Sequence, residues 1–276
     1  MILVTGSQGF IGATLVPMLE QQRHEVVTLD RIPGADHTLD IADLPGSDVP
    51  HPIAVVHLAA ETGVAQSVVD PELTMHNNVI GLLRTLKWCK GAKVHRFVFI
   101  SSAAADDCLS PYGASKAAGE ALVRAWAATY GLSWAVVRPC NVYGPHSEHK
   151  GSVIARWCRG MRDGRKITLE GGQQKRDFVY VGDVANAIVR LVEGIQQGTF
   201  TIGSGVETDM HSVLLILSRI ARANEDCTCA PMRLDDTKHR SSMVKLVERS
   251  RKELGMGAPV GLREGLQATW QWYKEA

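Results

Sequence analysis

Apolar and polar positions along this chain fall into blocks that switch between strand-like and helix-like periods. Ile2-Leu3-Val4-Thr5 is a short apolar, β-prone run. Glycines follow it, and then Ile11, Leu15, Met18 and Leu19 recur at helical spacing, which predicts strand, turn and helix. The run Glu25 to Leu29 ends at Asp30, and Ile53-Ala-Val-Val-His-Leu58 is continuous in the manner of a strand covered on both faces. Val79 to Cys89 has a helical pattern, Arg96 to Ile100 predicts a further buried strand, Tyr112 to Tyr130 a long Ala-rich helix, and Ser133 to Arg138 another strand. This β-α alternation predicts an α/β chain on a doubly wound parallel sheet, with its ligand site at the carboxyl ends of the strands.

After Pro139 the alternation fades, and loops such as Gly144-Pro145-His146 and Gly171-Gly172-Gln173-Gln174 separate shorter elements. Asp183 to Glu193 carries a helical stripe (Val184, Ala187, Ile188, Leu191) and Thr199 to Ile202 is strand-like; both are assigned back to the sheet. Arg249 to Leu254 and Gly261 to Tyr273 predict two closing helices. The expected organisation is a sheet domain of residues 1–145 plus about 183–203, and a smaller C-terminal lobe of about 146–182 plus 204–276 that covers the substrate.

Composition narrows the partner. The 276 residues are 45% hydrophobic and 21% charged with a net charge of +1, which excludes disorder and leaves no global field to draw in nucleic acid or an anionic membrane. A small-molecule ligand is expected. No apolar run approaches the roughly 20 residues that span a bilayer, and no basic segment precedes the first one, so neither insertion nor secretion is expected. The six cysteines are scattered without a CxxC, and His57, His95 and His146 lack metal-ligand spacing, so neither a metal site nor a disulfide framework is expected. A reducing cytoplasm is the expected location, and His57 reads as strand-end structure.

Gly6-Ser-Gln-Gly9-Phe10-Ile11-Gly12 is a GxxGxxG placed directly after a strand and opening a helix. The first glycine permits a tight turn, the second lets backbone amides approach a pyrophosphate, and the third lets helix and strand pack closely. A plain glycine-rich turn is the competing explanation. Asp30, 18 residues beyond Gly12 at the end of the second strand, favours a Rossmann-type dinucleotide site, because a carboxylate there accepts both ribose hydroxyls of NAD and repels a 2′-phosphate. Arg31 next to it partly opposes that preference.

Tyr112 and Lys116 are four apart at the start of a predicted helix and so project from one face. A free phenol titrates near pH 10, so a tyrosine base at neutral pH needs its anion stabilised, and a neighbouring ammonium supplies part of this. Ser101 and Ser102 end the preceding strand. Taken singly, each has a plain structural explanation: a turn-capping serine, a solvated lysine.

Taken together, these residues resemble the extended short-chain dehydrogenase/reductase family, the NAD-dependent nucleotide-sugar epimerases and dehydratases. The motifs that carry the resemblance run from Gly6-to-Gly12 and Asp30 through Asp40-Ile41, His57-Leu-Ala-Ala60, Asn77-Asn-Val79, Phe97-to-Ser102 and Tyr112-Gly-Ala-Ser-Lys116. They continue with Arg138-Pro-Cys-Asn-Val-Tyr-Gly144, Arg176-Asp-Phe-Val-Tyr-Val181 and Gly203-Ser-Gly205. The resemblance implies that Ser102, Tyr112 and Lys116 are catalytic and that Asp40, Ile41, Leu58, Ala59, Ala60 and Asn77 line NAD. It also implies that Asn141 and Arg176 bind a nucleotide diphosphate, with Arg240 a further candidate. An exposed salt bridge to Asp177 is the alternative for Arg176.

Departures from the family pattern matter too. Dehydratases and decarboxylases of the family tend to place an acid directly after the active-site hydroxyl, whereas Ala103-Ala104-Ala105 follows Ser102 here. Only ten positions separate Ser102 from Tyr112, a trimmed loop whose Asp106 and Asp107 read as solvated carboxylates. Leu246-Val-Glu-Arg249 replaces the family's frequent Asp-x-Ser-Lys, which loosens the alignment around Arg240. The resemblance implies a C4 epimerase: Tyr112 takes the proton of the sugar's 4-hydroxyl, C4 hydride passes to NAD, and the hydride returns on the other face. The alternatives are an NAD(P)H-dependent reductase of nucleotide 4-keto sugars and a non-catalytic dinucleotide sensor. Surplus apolar residues on the helices Val79 to Cys89 (Leu82, Leu83, Leu86, Trp88) and Tyr112 to Tyr130 (Leu122, Val123, Trp126) suggest a second packed partner, and the family commonly pairs through these helices as a homodimer.

Overall fold

Each apolar run of the N-terminal half forms its strand within a residue of the expected ends. The computed structural model describes residues 1–223, 227–232 and 243–276. Its strands in chain order are β1 (Ile2–Thr5), β2 (Val26–Asp30), β3 (His37–Thr38), β4 (Ala54–His57), β5 (Arg96–Ile100), β6 (Ser133–Pro139), β7 (Asn141–Tyr143), β8 (Ile167–Glu170), β9 (Lys175–Tyr180), β10 (Gly198–Ile202), β11 (Glu207–Asp209) and β12 (Cys227–Ala230). The α-helices are α1 (Gly12–Gln21), α2 (Val64–Val69), α3 (Pro71–Met75), α4 (Gly81–Gly91), α5 (Pro111–Tyr130), α6 (Val153–Arg162), α7 (Val181–Glu193), α8 (Met210–Ala221), α9 (Val244–Glu253) and α10 (Leu262–Glu275).

The chain forms two compact units, Met1–Pro139 with Ala185–Thr201, and Cys140–Val184 with Ile202–Ala276. The first holds a seven-stranded sheet in the order β10-β6-β5-β4-β1-β2-β3, parallel in every pairing from β3 to β6. Its register sets Val27, Leu3, Val55, Phe97 and Trp134 side by side across five strands. Leu82, Leu86 and Trp88 of α4 and Val123 of α5 close over that row as one core. Of the apolar residues on these helices, Leu82, Leu86, Trp88 and Val123 are buried within the chain itself, and Leu122 and Trp126 pack partly buried against the same core. Exposed apolar side chains near these helices include Val68 and Val69 on α2, Leu73 and Met75 on α3, Ile80 just before α4, and Tyr130 at the end of α5.

The helix expected at Val79 to Cys89 is also longer and less regular. Asp70 caps α3 by accepting the Leu73 amide at 2.9 Å, Pro71 occupies the first turn, and a π-helical turn over His76–Ile80 leads into α4. The wide turn carries Asn78 inside, where it bonds both backbone groups of Glu61 and the Ser115 hydroxyl.

Arg96, at the start of β5, is 7% exposed. Its Nε and Nη2 donate to Leu191 O at 2.9 and 2.6 Å, Nη2 also to Gln196 O at 2.6 Å, and Nη1 to Ser133 Oγ at 2.8 Å. The guanidinium thus caps the last turn of α7, where orphan carbonyls and the helix dipole favour a cation.

The second unit pairs β7 with β9 in parallel and β11 with β9 antiparallel, and sets β8 beside β12. Trp157, Phe178, Leu217, Leu266 and Tyr273 fill the core beneath α6, α8 and α10. Among the described residues no helix is long and apolar enough to cross a membrane.

Replacing Arg96 with Leu strands buried carbonyls and should lower the unfolding free energy by roughly 2–4 kcal/mol, read as a reduced urea midpoint at constant m-value. A change below about 0.5 kcal/mol, the level of an ordinary surface substitution, would refute the clamp.

Candidate active site

The turn after β1 is built from backbone in contact with backbone. Gly6 has φ +71°, and a Cβ on it would lie 2.6 Å from the Ala59 nitrogen; a Cβ on Gly12 would lie 2.4 Å from Ser7 O. No other residue fits either position. Gly9 N donates to Gly6 O at 3.1 Å, and α1 starts at Gly12 with Ala13 N donating to Gly9 O and Thr14 N to Ile11 O, so the turn and the first helical residues are tied together. Ser7 Oγ is buried with no hydrogen-bond partner, and Phe10 is buried behind the turn. An orphan hydroxyl at a helix N-terminus, in a turn whose glycines leave no Cβ in the way, fits a pyrophosphate.

Asp30 closes the cradle. Its two carboxylate oxygens accept Gln8 N at 2.9 Å and Ile32 N at 3.1 Å, which ties the end of β2 to the glycine turn and leaves each oxygen a further lone pair. The Arg31 guanidinium is exposed and reaches Glu61 at 3.4 Å. Asp40 folds its own turn by accepting Ala42 N at 2.8 Å. Leu58 N donates to Thr5 O, and Ala59 N to Thr5 Oγ1, so the Leu58-to-Ala60 segment is anchored on β1. Asn77 sits half-buried on the π turn, one residue before the inward-facing Asn78.

The structure separates the two serines at the end of β5. Ser101 is 2% exposed and donates to Glu120 Oε1 at 2.6 Å, while Ser102 is half-buried and its Oγ accepts Ala104 N at 3.2 Å as the cap of a 3₁₀ turn over Ala103–Ala105. Successive strand residues face opposite ways, which explains the division. Ser110 caps α5 by accepting Gly113 N, and Pro111 occupies its first turn, so Tyr112 begins the helix. One turn on, Lys116 is 3% exposed, its Nζ donates to Ile100 O at 2.9 Å, and it lies 6.0 Å from the centre of the Tyr112 ring. Ser102, Tyr112 and Lys116 are thus gathered at the carboxyl ends of the parallel strands.

His57 is enclosed at the end of β4, bonded to Thr5 Oγ1 at 3.0 Å and stacked near Phe97 and Phe99. Burial, with the Lys116 charge as a lesser cause, drives its pKa down to about 3. It is a neutral structural imidazole.

In the second unit, Asn141 is exposed on β7 and Arg176 is buried on β9, with Nη1 donating to Lys175 O at 2.7 Å. The alternative of an exposed Arg176–Asp177 bridge therefore falls. Asp177 instead accepts the amides of Ser204 and Gly205 and the Ser204 hydroxyl. Arg240 lies outside the described residues. Sequence reasoning gave no role to Glu120 and Arg138. They meet across 18 positions with nothing local to signal it.

A doubly wound sheet carrying a glycine cradle, a carboxylate at the end of β2 and a Ser-Tyr-Lys group defines a dinucleotide-dependent α/β enzyme of the short-chain dehydrogenase/reductase type. Residues 2–203 match the NAD dependent epimerase/dehydratase family, and the chain belongs to it. It is 31% identical to the UDP-glucose 4-epimerase of Mycolicibacterium smegmatis, over 99% of this chain and 98% of that one. Among solved structures it resembles the UDP-glucose 4-epimerase of Thermotoga maritima with UDP-glucose (TM-score 0.89, 28% identity, 99% and 98% of the two chains). It also resembles that of Thermus thermophilus in complex with NAD (TM-score 0.88, 29% identity, 100% and 99%).

The unfolded chain protonates His57 near pH 6.5, and the folded chain only near pH 3. Its contribution therefore leaves stability untouched above about pH 6.5 and erodes it as pH falls toward 3, with a slope approaching about 1.4 kcal/mol per pH unit. The stability advantage of wild type over His57→Gln should accordingly shrink between pH 7 and pH 4.5 in urea titrations. A constant difference would show that His57 is not held neutral.

Proposed function

We propose that the protein is an NAD-dependent nucleotide-sugar epimerase that inverts C4 through a transient 4-keto sugar. The observation that carries this reading is a Ser102–Tyr112–Lys116 group with no acid placed after Ser102 to drive elimination. The two carboxylates of the trimmed loop are engaged elsewhere, Asp106 with Arg138 Nη1 at 3.1 Å and Asp107 with Leu109 N at 3.4 Å.

NAD, when bound, supplies a reversible acceptor for the hydrogen on C4. The turn from Gly6 through Gly9 to Gly12 and the Ser7 hydroxyl hold its pyrophosphate, with Phe10 and Ile11 in the same turn. Asp30 takes the adenosine ribose hydroxyls beside Arg31, and Asp40, Ile41, Leu58, Ala59, Ala60 and Asn77 line the remainder. Tyr112, as phenolate, removes the 4-hydroxyl proton and later returns it. The Lys116 ammonium favours that phenolate by its charge and holds the nicotinamide ribose. Because Ser102 Oγ already accepts Ala104 N, its own proton remains to donate to the same sugar oxygen. Asn141 and Arg176 hold the nucleotide diphosphate, where a guanidinium fork suits paired phosphate oxygens.

A cytoplasmic homodimer completes the reading. All six cysteines are thiols rather than disulfides, as a reducing compartment keeps them, and Val68, Val69, Leu73, Met75 and Ile80 offer apolar surface to a second copy.

Purified protein given UDP-glucose and no added cofactor should approach an equilibrium of C4 epimers, release NAD on denaturation, and place no solvent deuterium at C4. Conversion only of a 4-keto sugar with stoichiometric NADH or NADPH would establish the reductase instead. Tyr112→Phe should lower turnover by about 100- to 10,000-fold while NAD is retained. Asp30→Ala should weaken NAD and improve relative NADP binding, and equal affinities in the unmodified protein would refute the role of Asp30.

A further inference from the structure

One polar network in the first unit adjoins the Ser102–Tyr112–Lys116 group without belonging to it. Glu120, one turn beyond Lys116 on α5, has a side chain only 1% exposed. It accepts Arg138 Nε and Nη2 at 2.7 Å each, one on either carboxylate oxygen, and Ser101 Oγ at 2.6 Å. A bidentate fork locks the guanidinium plane, so the remaining nitrogen points in one direction. That nitrogen, Nη1, donates to Asp106 Oδ1 at 3.1 Å.

Asp106 directly follows the 3₁₀ turn Ala103–Ala105, whose cap is the Ser102 hydroxyl. The connection from Ser102 to Tyr112 is short, so fixing Asp106 leaves the turn little freedom and fixes the Ala104 amide that holds Ser102 Oγ. The Asp106 side chain is 43% exposed, and an ion pair that open to water adds little to stability. Its effect falls on geometry.

We propose that Asp106 is a positioning residue for the reaction, holding the Ser102 hydroxyl in place through Arg138 and Glu120. This rests on the role given to Ser102 above. The sugar oxygen requires a donor in a narrow range of position, and the anchored turn provides it from backbone rather than from a longer loop.

The test uses the NAD-loaded protein. In Asp106→Ala the Ala104 amide should exchange faster with solvent by NMR, with NAD content and KM for UDP-glucose unchanged. kcat should fall about tenfold, since even a 1 Å misplacement costs on the order of 100-fold. In a Ser102→Ala background the same change should have no further effect on kcat, because the residue acts only through that hydroxyl. Unchanged exchange, unchanged kcat, or losses that multiply in the double variant would overturn the inference. If the unmodified protein does not epimerise any nucleotide sugar, the proposed function fails, and the exchange of Ala104 decides the positioning role alone.

Discussion

The site rests on a backbone approach that tolerates no side chain. Where β1 and β4 end, the Gly6 turn lies against the Leu58–Ala59 backbone and Gly12 against Ser7, and a methyl group at either position would overlap main-chain atoms. Those contacts set the angle at which α1 leaves the sheet, and so where its N-terminus and the Ser7 hydroxyl are presented. Asp30 extends the constraint to the next strand by bonding Gln8 N. Glycine turn and sheet order are thus one feature, located where the strand order reverses direction.

Buried ionisable groups of the first unit are accommodated in three different ways. Glu120 is matched by a guanidinium fork, Arg96 by carbonyls and a hydroxyl with no carboxylate among its bonded partners, and His57 by giving up its charge. Each avoids the cost of an isolated buried charge. Acid disturbs the last of them, since His57 takes up a proton as the pH falls toward about 3.

How far the sequence could be read follows from the same physics. Strands covered on both faces need unbroken apolar runs, so β1, β4 and β5 are visible as such, and the glycine spacing is visible because only glycine fits. The π turn before α4 was hidden because it depends on Asp70 capping and on Asn78 finding Glu61 and Ser115, partners far away in the chain. The apolar residues of α4 and α5 do not name their partner for a related reason: a helix wedged between sheet and neighbouring helices shows the same broad stripe as one awaiting a second chain. Arg138 stood inside a recognisable motif, but the pairing that gives it meaning is tertiary. Choosing Ser102 over Ser101 likewise needed the family resemblance until the alternation of strand faces was seen directly.

The Arg96 clamp also bears on the order in which the chain acquires its shape. Its acceptors, Leu191 and Gln196, belong to the stretch Ala185–Thr201, which returns to the first unit only after residues 140–184 have been devoted to the second. Until that return, β6 is an unpaired sheet edge and the guanidinium on β5 has neither helix end nor loop to bond. A nascent chain emerging from the ribosome therefore carries an open edge and an unanchored cation through much of the synthesis of the 58 residues between Pro139 and Gly198. Completion of the sheet by β10 and anchoring of α7 by Arg96 then become a late, joint event, and the interval before it is the period in which partly made chains are most exposed to mispairing with one another.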